Sequence, residues 1–465
     1  MRFRVTSRKT AGTAPTAQPA SPSRSSWNRS RAMADVSPLL DRLRQTLATM
    51  EDVCIGCGSC LNRCELLEGC SWNLAALCAE SRAALDGAST LDDVRRAMAK
   101  HRQLYRQIRL CAGCDRCTAR CPQDLSMTDL WRPWRELLRD AGFILDADVA
   151  LVEVDRVWNT FSVFRHLQGV RYDDLPVLHI APIDAAETPD DPDADIALPP
   201  SAETLFFPGC TLSAYAPELT RMALAWLEEH EGPCLLSTQC CAWPLECVGE
   251  MRRAISWRER IVAAARERGV KRIVTVCPGC EKQLAAAAAT VAPDMEFFSL
   301  ARLMLDAGVQ VSAHAFDGCP LPMTVVDSCN DRAGKHGPAV RELLAAVESR
   351  PFPCTGIDAW CCGAGGNVVS FDGRMPRQRT CRTFELGDAI GARTVVSACP
   401  TCAYTYAFER WMDARDANQH WGHMQNVNYL EVVFGRRINW PAIFNALVDM
   451  WNGEQAEWVA KRLMP

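Results

Sequence analysis

The segment TVVSACPTC, residues 394–402, runs from a short β-rich stretch directly into a C-x-x-C pair. RIVTVCPGC at residues 272–280 has the same form, and TLFFPGC at 204–210 and MTVVDSC at 323–329 also end a β-rich stretch on a cysteine. Helical patterns such as residues 216–229, 254–268 and 339–348 separate these segments, so the sequence predicts βα units with parallel strands. The cysteines then lie just beyond the carboxyl ends of strands, where open α/β sheets place their ligands.

The cysteines of this part of the chain form a repeat. Each copy has one isolated cysteine, a tandem pair and a C-x-x-C pair, and matching cysteines are 119 to 122 residues apart. A register kept at five positions indicates a duplicated module. Five thiols exceed the four that a tetrahedral zinc needs, so the pattern predicts an unusual iron–sulfur site, present twice. The two sets are Cys210, Cys240, Cys241, Cys277 and Cys280, and Cys329, Cys361, Cys362, Cys399 and Cys402.

Residues 33–145 are predicted to be mostly helical. Ser89 and Thr90 before Asp92 and Asp93 form a capping pattern, and apolar residues then recur at helical spacing from Leu91 to Ile108. The same region holds eight further clustered cysteines in two C-x2-C-x2-C-x3-C runs. In two-cluster ferredoxins the first three cysteines of such a run hold one [4Fe–4S] cubane, and the fourth reaches the other. The spacing predicts one cubane on Cys54, Cys57, Cys60 and Cys121, and a second on Cys111, Cys114, Cys117 and Cys64. Glu65 replaces the usual proline after Cys64, which predicts a different exit of the chain. Zinc is the alternative, but it would leave the third cysteine idle.

Three further segments, FFPGCTLSAY, CCGAGG and DSCNDRAG, extend the pattern. Together with the repeat they resemble the cysteine-rich CCG domain of the catalytic subunit of heterodisulfide reductase. A ferredoxin-type domain followed by two CCG domains resembles the fused, subunit-D-like form of that family. Iron–sulfur subunits of anaerobic glycerol-3-phosphate dehydrogenase and of glycolate oxidase share this layout. The resemblance covers about residues 50–415.

The resemblance implies a mixed fold. A helical ferredoxin-like domain with two [4Fe–4S] clusters at 33–145 would be followed by two α/β CCG modules, at 203–315 and 316–450. Residues 146–202 would be a connector and an acidic, proline-rich linker with an extended, solvated chain. Residues 1–32, with seven basic residues and no acidic one, are expected to be a disordered tail or an over-extended start before Met33.

The resemblance also implies a noncubane [4Fe–4S] cluster on each five-cysteine set, with the two clusters on either side of a disulfide that they cleave. The tandem cysteines are then the best catalytic candidates: Cys361, Cys362, Cys240 and Cys241. Gly363, Gly365 and Gly366 would give the second tandem pair the backbone freedom it needs. In the first copy Ala242 replaces the expected glycine, and alanine is strained there if the position needs a positive φ. A noncubane cluster, a cubane and zinc all stay open for the first copy.

The implied protein is an iron–sulfur oxidoreductase subunit. It would pass electrons from a flavin or iron–sulfur partner, through the two cubanes, to the CCG-bound clusters that reduce a disulfide. The alternative is a pure electron-transfer subunit, which relays electrons from a flavin dehydrogenase of the glycerol-3-phosphate, glycolate or lactate type to quinone. A membrane cytochrome subunit is a further candidate partner. The chain carries no flavin or nicotinamide glycine pattern, so flavin is expected from a partner.

The composition of the chain also bears on its partners, its location and its remaining cysteines. The net charge is −5 although the first 32 residues are basic, so nothing favours nucleic-acid binding. No apolar run approaches the ~20 residues that span a bilayer, so a cytoplasmic protein is expected, peripheral at the membrane through partners. Seven cysteines outside the motifs are expected to be small buried side chains: Cys70, Cys78, Cys234, Cys247, Cys319, Cys354 and Cys381.

Charged side chains surround Cys329, and two interpretations are open for them. They are Asp327, Asp331, Arg332, Lys335 and His336. Helix capping and surface charge are expected. The alternative is a basic lip for an anionic thiol or a partner, with His336 giving a proton to a leaving thiolate.

Overall fold

The computed structural model describes residues 36–61, 64, 71–184, 188, 199–311, 319–415 and 420–464. The basic segment 1–32, Glu65, Cys70 and most of the acidic, proline-rich stretch lie outside the described residues. The described chain forms a helical N-terminal domain followed by two α/β modules. The mixed fold class predicted from the sequence is therefore confirmed.

The described part of the N-terminal domain has five main helices around one apolar core. They are α1 (Ser37–Val53), α2 (Leu74–Leu85), α3 (Leu91–Lys100), α4 (Arg102–Leu110) and α5 (Met127–Asp140). The predicted start of α3 is confirmed, because Thr90 and Asp93 form a capping box there. The apolar pattern of residues 91–108 belongs to two helices, which meet at His101. Met98 and Leu104 are six residues apart rather than seven, so one straight helix would turn them to different faces.

Two short helices, α6 (Asp146–Ala150) and α7 (Thr160–Leu167), connect this domain to the modules. The stretch after them differs from the solvated linker that the sequence predicts. Val177 pairs in parallel with Leu236 at the edge of the first sheet, and Leu178 and Ile180 are also buried. An open strand edge exposes unpaired backbone groups, and this segment covers that edge.

The first module contains a parallel four-stranded sheet in the order β2-β1-β3-β4. Its elements are β1 (Thr204–Phe207), α8 (Cys210–Tyr215), α9 (Pro217–Glu231), β2 (Cys234–Leu236), α10 (Trp243–Cys247), α11 (Met251–Glu267), β3 (Arg272–Thr275), α12 (Pro278–Val291), β4 (Glu296–Ser299) and α13 (Leu300–Asp306). Parallel strands joined through helices confirm the predicted βα units. Residues 216–229 and 254–268, predicted helical, fall almost entirely within α9 and α11.

The second module repeats the design with three parallel strands in the order β5-β6-β7. Its elements are β5 (Met323–Val326), α14 (His336–Leu343), α15 (Val368–Phe371), α16 (Arg374–Ala389), β6 (Thr394–Ser397), α17 (Pro400–Asp413), β7 (Gln425–Asn428), α18 (Tyr429–Phe434), α19 (Trp440–Asn452) and α20 (Ala456–Leu463). The counterpart of β2 is reduced to one bridge, between Met323 and Ser349. The helix predicted over 339–348 ends at Leu343.

The N-terminal domain is held to both modules by charged contacts. Arg139 pairs with Glu250 of the first module at 3.1 Å, and both side chains are buried. Lys282 of α12 pairs with Asp115 at 2.8 Å. From the second module, Arg332 donates two hydrogen bonds to the carbonyl of Cys114, at 2.7 and 2.9 Å. The second cysteine loop of the N-terminal domain, residues 111–121, therefore faces the modules.

Candidate iron–sulfur centres

Four cysteines of the N-terminal domain, drawn from both runs, line one cavity that opens to solvent. They are Cys54, Cys57, Cys60 and Cys121, and Cys117 also touches the cavity. Gly56 and Gly58 have φ of 68° and 73°, which lets the loop turn back between its cysteines. Burial raises the pKa of the Cys60 thiol, and the charges of Cys54 and Cys121 add to the effect. These thiols therefore lie close enough to interact across the two runs.

The other four cysteines line a second cavity: Cys64, Cys111, Cys114 and Cys117. Burial raises the pKa of Cys117 well above its usual range, and the charges of Cys114, Cys111 and Cys64 raise it further. Cys64 comes from the first run and the other three from the second. The structure thus brings the eight cysteines together in the crossed grouping that the spacing predicts, while their role as ligands remains a prediction.

All five cysteines of the first module form one connected set of thiols. The Cys240 thiol hydrogen-bonds Cys210 and Cys241, and these contacts raise its pKa well above the usual range. Hydrogen bonds from Cys240 and Cys280 hold the pKa of Cys241 well below its usual range. Cys280 in turn contacts Cys277.

The second module brings its thiols together in two groups. Cys361 hydrogen-bonds Cys329. Cys362 hydrogen-bonds Cys402, which lowers the pKa of Cys362, and Cys402 contacts Cys399. Both C-x-x-C pairs lie at the start of a helix, with Cys277 at the N-cap position of α12 and Cys399 at that of α17. The positive end of a helix dipole favours the thiolate form. Hydrogen bonds from Cys277 and Cys402 hold the pKa of Cys399 well below its usual range, whereas that of Cys277 is raised.

The two modules meet at their cysteines. The Sγ atoms of Cys277 and Cys399 are 3.9 Å apart, although 122 residues separate them in the chain. Close by, the hydroxyls of Thr211 and Thr401 are 3.5 Å apart. The sequence predicts two separate sites, and the structure makes them neighbours.

The second module also touches the cysteine loop of the N-terminal domain directly. The thiols of Cys114 and Cys361 share a hydrogen bond. Gly365 and Gly366 lie so close to this loop that a Cβ on either would overlap the carbonyl oxygen of Ala112 or of Cys111. Gly363 and Gly366 have φ of 90° and 72°. The glycines of CCGAGG therefore serve both the backbone turn and the domain contact, and the sequence alone predicts only the first.

The first module lacks these glycines, yet Ala242 has the same kind of backbone, with φ 57° and ψ 19°. Ala242 therefore has the positive φ at which an alanine backbone is strained. Next to it, the Trp243 ring lies against the second cysteine loop, 3.1 Å from where a Cβ on Gly113 would be. Both tandem segments thus pack on the same loop, one through glycines and the other through a tryptophan.

We expect Ala242→Gly to leave the stability nearly unchanged, although alanine-to-glycine changes usually destabilise. Glycine adopts a left-handed backbone without strain, so the change should recover roughly 1–2 kcal/mol of stability. The loss of a buried methyl costs about 0.8 kcal/mol, and glycine's entropy costs roughly 0.5–1 kcal/mol. Ala364→Gly is the matched control, because Ala364 is exposed with φ −65°. It should destabilise by about 1 kcal/mol in denaturant unfolding. If Ala242→Gly were the more harmful change, the strain would be negligible.

The charged residues near Cys329 do not form a basic lip. Asp331 is buried, and its carboxylate accepts hydrogen bonds from the backbone N–H groups of Lys335, His336 and Gly337 at the start of α14. The capping interpretation is therefore confirmed for Asp331. Asp327 is buried and pairs with Arg341.

Two of these residues instead join the modules. His336 is 2% exposed and lies 2.8 Å from Glu281, the residue after Cys280. Lys335 pairs with the same carboxylate at 2.9 Å. Burial would raise the pKa of Glu281, but these two partners outweigh it and lower the pKa to about 2. Glu281 is a contact that sequence reasoning missed, because its partners are 54 and 55 residues away in the chain.

The cysteines outside the motifs follow the prediction only in part. Four are buried, and burial raises the pKa of each thiol: Cys78, Cys234, Cys247 and Cys319. Cys354 and Cys381 are half-buried rather than buried. Cys247 shares a small cavity with Cys111 and Trp243, where α10 packs on the second cysteine loop. Cys247 thus packs between the first module and the N-terminal domain.

The donor set fits iron–sulfur clusters, because soft thiolates surround cavities at strand and helix ends. Among the described residues, no group of three or more His, Cys, Asp or Glu side chains is arranged to hold a single metal ion. None of the described helices combines the length and apolar character that crossing a lipid bilayer requires.

Comparison with known proteins supports this description. Residues 204–285 and 323–406 each match the model of the cysteine-rich CCG domain, and residues 53–126 match a 4Fe-4S dicluster domain. The molecule is thus an iron–sulfur protein. More particularly, it is a CCG-domain iron–sulfur protein, with one dicluster domain and two cysteine-rich modules.

Two curated relatives share most of this length. An "uncharacterized iron-sulfur protein" of Methanococcus maripaludis is 24% identical over 78% of this chain and 70% of its own length. A second, from Methanocaldococcus jannaschii, is 22% identical over 76% of this chain and 66% of its own. The chain thus spans about two thirds of the length of these relatives. A solved structure, titled a putative Asp/Glu racemase from Yersinia pestis, aligns with a TM-score of 0.25 and 10% identity over 53% of this chain and all of its own. So low a score supports no inference.

Proposed function

We propose that this protein is an oxidoreductase subunit that takes electrons from a flavin or iron–sulfur partner and reduces a disulfide. The observation that carries the proposal is the 3.9 Å contact between Cys277 and Cys399, which places the two five-cysteine sets side by side. Reducing a disulfide consumes two electrons and two protons and yields two thiols. Iron–sulfur clusters, when bound, supply single electrons, so two adjacent sets match a two-electron reaction.

The cysteine sets of the proposed site would bind the clusters, and half-buried residues beside them would admit the disulfide. The two five-cysteine sets would each hold one cluster, and the eight N-terminal cysteines would hold two cubanes. Most of the module thiols are buried, whereas Cys210, Cys329, Gly279, Asn330 and Thr401 are half-buried. These residues flank the meeting point of the modules. They form the edge at which a disulfide from solution would reach the buried thiols.

The partner would dock at the first cysteine run. Cys57 is exposed, and Ile55 beside it is 64% exposed. An exposed apolar side chain next to a redox loop is typical of an interaction surface rather than of a solvated loop. The cysteines of this run would therefore receive the electrons. The second cysteine loop, which contacts the modules, would pass them on.

The test is anaerobic purification followed by iron and zinc counting and disulfide reduction. We expect about sixteen irons per chain, four for each cluster, and little zinc. With a reduced viologen dye as donor, the protein should reduce at least one of cystine, cystamine and oxidised glutathione, and added thiol should change its low-temperature EPR spectrum. Full iron without reduction of any disulfide, together with turnover of quinone, would favour the relay. Roughly eight irons with bound zinc would give the modules a structural role.

A further inference from the structure

A buried arginine of the second module reaches into the cysteine cavity of the N-terminal domain. Arg379 lies in α16, is 6% exposed, and lines the second cysteine cavity together with Cys64, Cys111, Cys114 and Cys117. Among the described residues of the second module, it alone lines this cavity. A fixed cation here is unusual because burying a guanidinium is costly unless negative charge compensates for it.

The charges around Arg379 explain why it is tolerated. Sulfur atoms of Cys361, Cys114, Cys64 and Cys111 surround the guanidinium, and a cysteine carries negative charge when it binds iron as a thiolate. The guanidinium thus acts on thiols of both domains.

The surrounding packing holds Arg379 in place. The indole nitrogen of Trp360, the residue before Cys361, donates to the Arg379 carbonyl at 3.0 Å. Arg116 of the cysteine loop lies over the Trp360 ring, 5.0 Å from its centroid. Among the described residues that line the cavity, the other charged one is Asp115, which pairs with Lys282 at 2.8 Å.

We propose that Arg379 is a positioning residue of the second module that raises the reduction potential of the cluster held by Cys64, Cys111, Cys114 and Cys117. Reduction adds one negative charge to a cluster, and a nearby buried cation stabilises the reduced form more than the oxidised form. Docking of the module would thereby set the potential of a cluster in another domain. The inference rests on the proposed ligand set, but not on disulfide reduction.

The test is an EPR-monitored redox titration of the full, cluster-loaded chain with dithionite as the reductant. Arg379→Gln should lower the midpoint potential of one cubane by about 59 mV or more, a tenfold change for a one-electron couple. Arg379→Lys keeps the charge and should retain most of the potential. Arg382→Gln, an exposed change on the same helix, should leave every potential unchanged.

The outcomes separate the possibilities. Unchanged midpoints in Arg379→Gln with full iron would overturn the proposal, and so would equal shifts in the Gln and Lys variants. If the Gln variant loads no cubane while the Lys variant loads normally, the charge is needed to assemble the cluster, which supports the proposal. If neither variant binds iron, the side chain acts through packing and the proposal fails. A wild-type protein with normal potentials that reduces no disulfide would affect only the proposed function.

Discussion

Gly366→Ala is expected to separate the N-terminal domain from the second module. A methyl at this position would overlap the carbonyl oxygen of Cys111 and lie 2.9 Å from the Cα of Ala112. Both of these atoms belong to the backbone, which cannot rotate away as a side chain can. The positive φ adds strain of roughly 1–2 kcal/mol, and overpacking a closed contact costs typically about 1–3 kcal/mol. We expect a total loss of about 3 kcal/mol in denaturant unfolding.

Gly391→Ala is the matched control. Gly391 has φ 73°, against 72° at Gly366, but no atom lies within 4 Å of its added Cβ. The backbone strain is therefore the same and only the overlap differs, so this variant should lose about 1 kcal/mol. Equal losses in the two variants would show that the contact with the Cys111 loop can relax at little cost.

The same pair of variants has a functional readout. A shift of ~1 Å at a reacting contact can lower a rate by about a hundredfold. Gly366→Ala should therefore lower viologen-driven disulfide reduction by at least about tenfold with its iron content retained, and Gly391→Ala should not. Normal turnover in Gly366→Ala would mean that the modules receive electrons without the close contact of the two domains.

Cys361→Ser is expected to have the largest effect on activity. Cys361 is buried and contacts Cys329 of its own set and Cys114 of the N-terminal domain. Serine lacks the soft sulfur donor, so we expect a loss of about four of about sixteen irons. The rate of disulfide reduction should fall by on the order of a hundredfold or more. The five cysteines of a set would act together on one cluster, so the loss of one removes most of their joint effect.

Cys381→Ser controls for the loss of a thiol from the same module. Cys381 is half-buried, lies outside the five-cysteine set, and should keep both iron and activity. Cys240→Ser tests the corresponding position of the first module. It should also lose about four irons, while leaving the Cys114–Cys361 contact in place. Full iron and full turnover in Cys361→Ser would contradict the ligand role of the tandem cysteine.

Periodicity and spacing predict much of this architecture. β-Rich segments that end on cysteines predict the parallel strands, and the capping box at Thr90 and Asp93 predicts the start of α3. Such features depend on neighbours a few residues away, so they can be recognised locally. The linker prediction is wrong for residues 177–180, because proline and acidic residues around them suggested solvent while β2 needed an edge partner.

The sequence by itself predicted which thiols belong together within each run and each module, because short C-x-x-C spacings keep thiols on one turn and the repeat aligns five cysteines in each module. Only the tertiary structure decided that Cys277 meets Cys399, that Cys114 meets Cys361, and that Arg379 enters a cavity of another domain. These pairs are more than a hundred residues apart, and they form through packing of whole modules. No local pattern encodes such a contact, since its free energy comes from surfaces buried together when the domains dock.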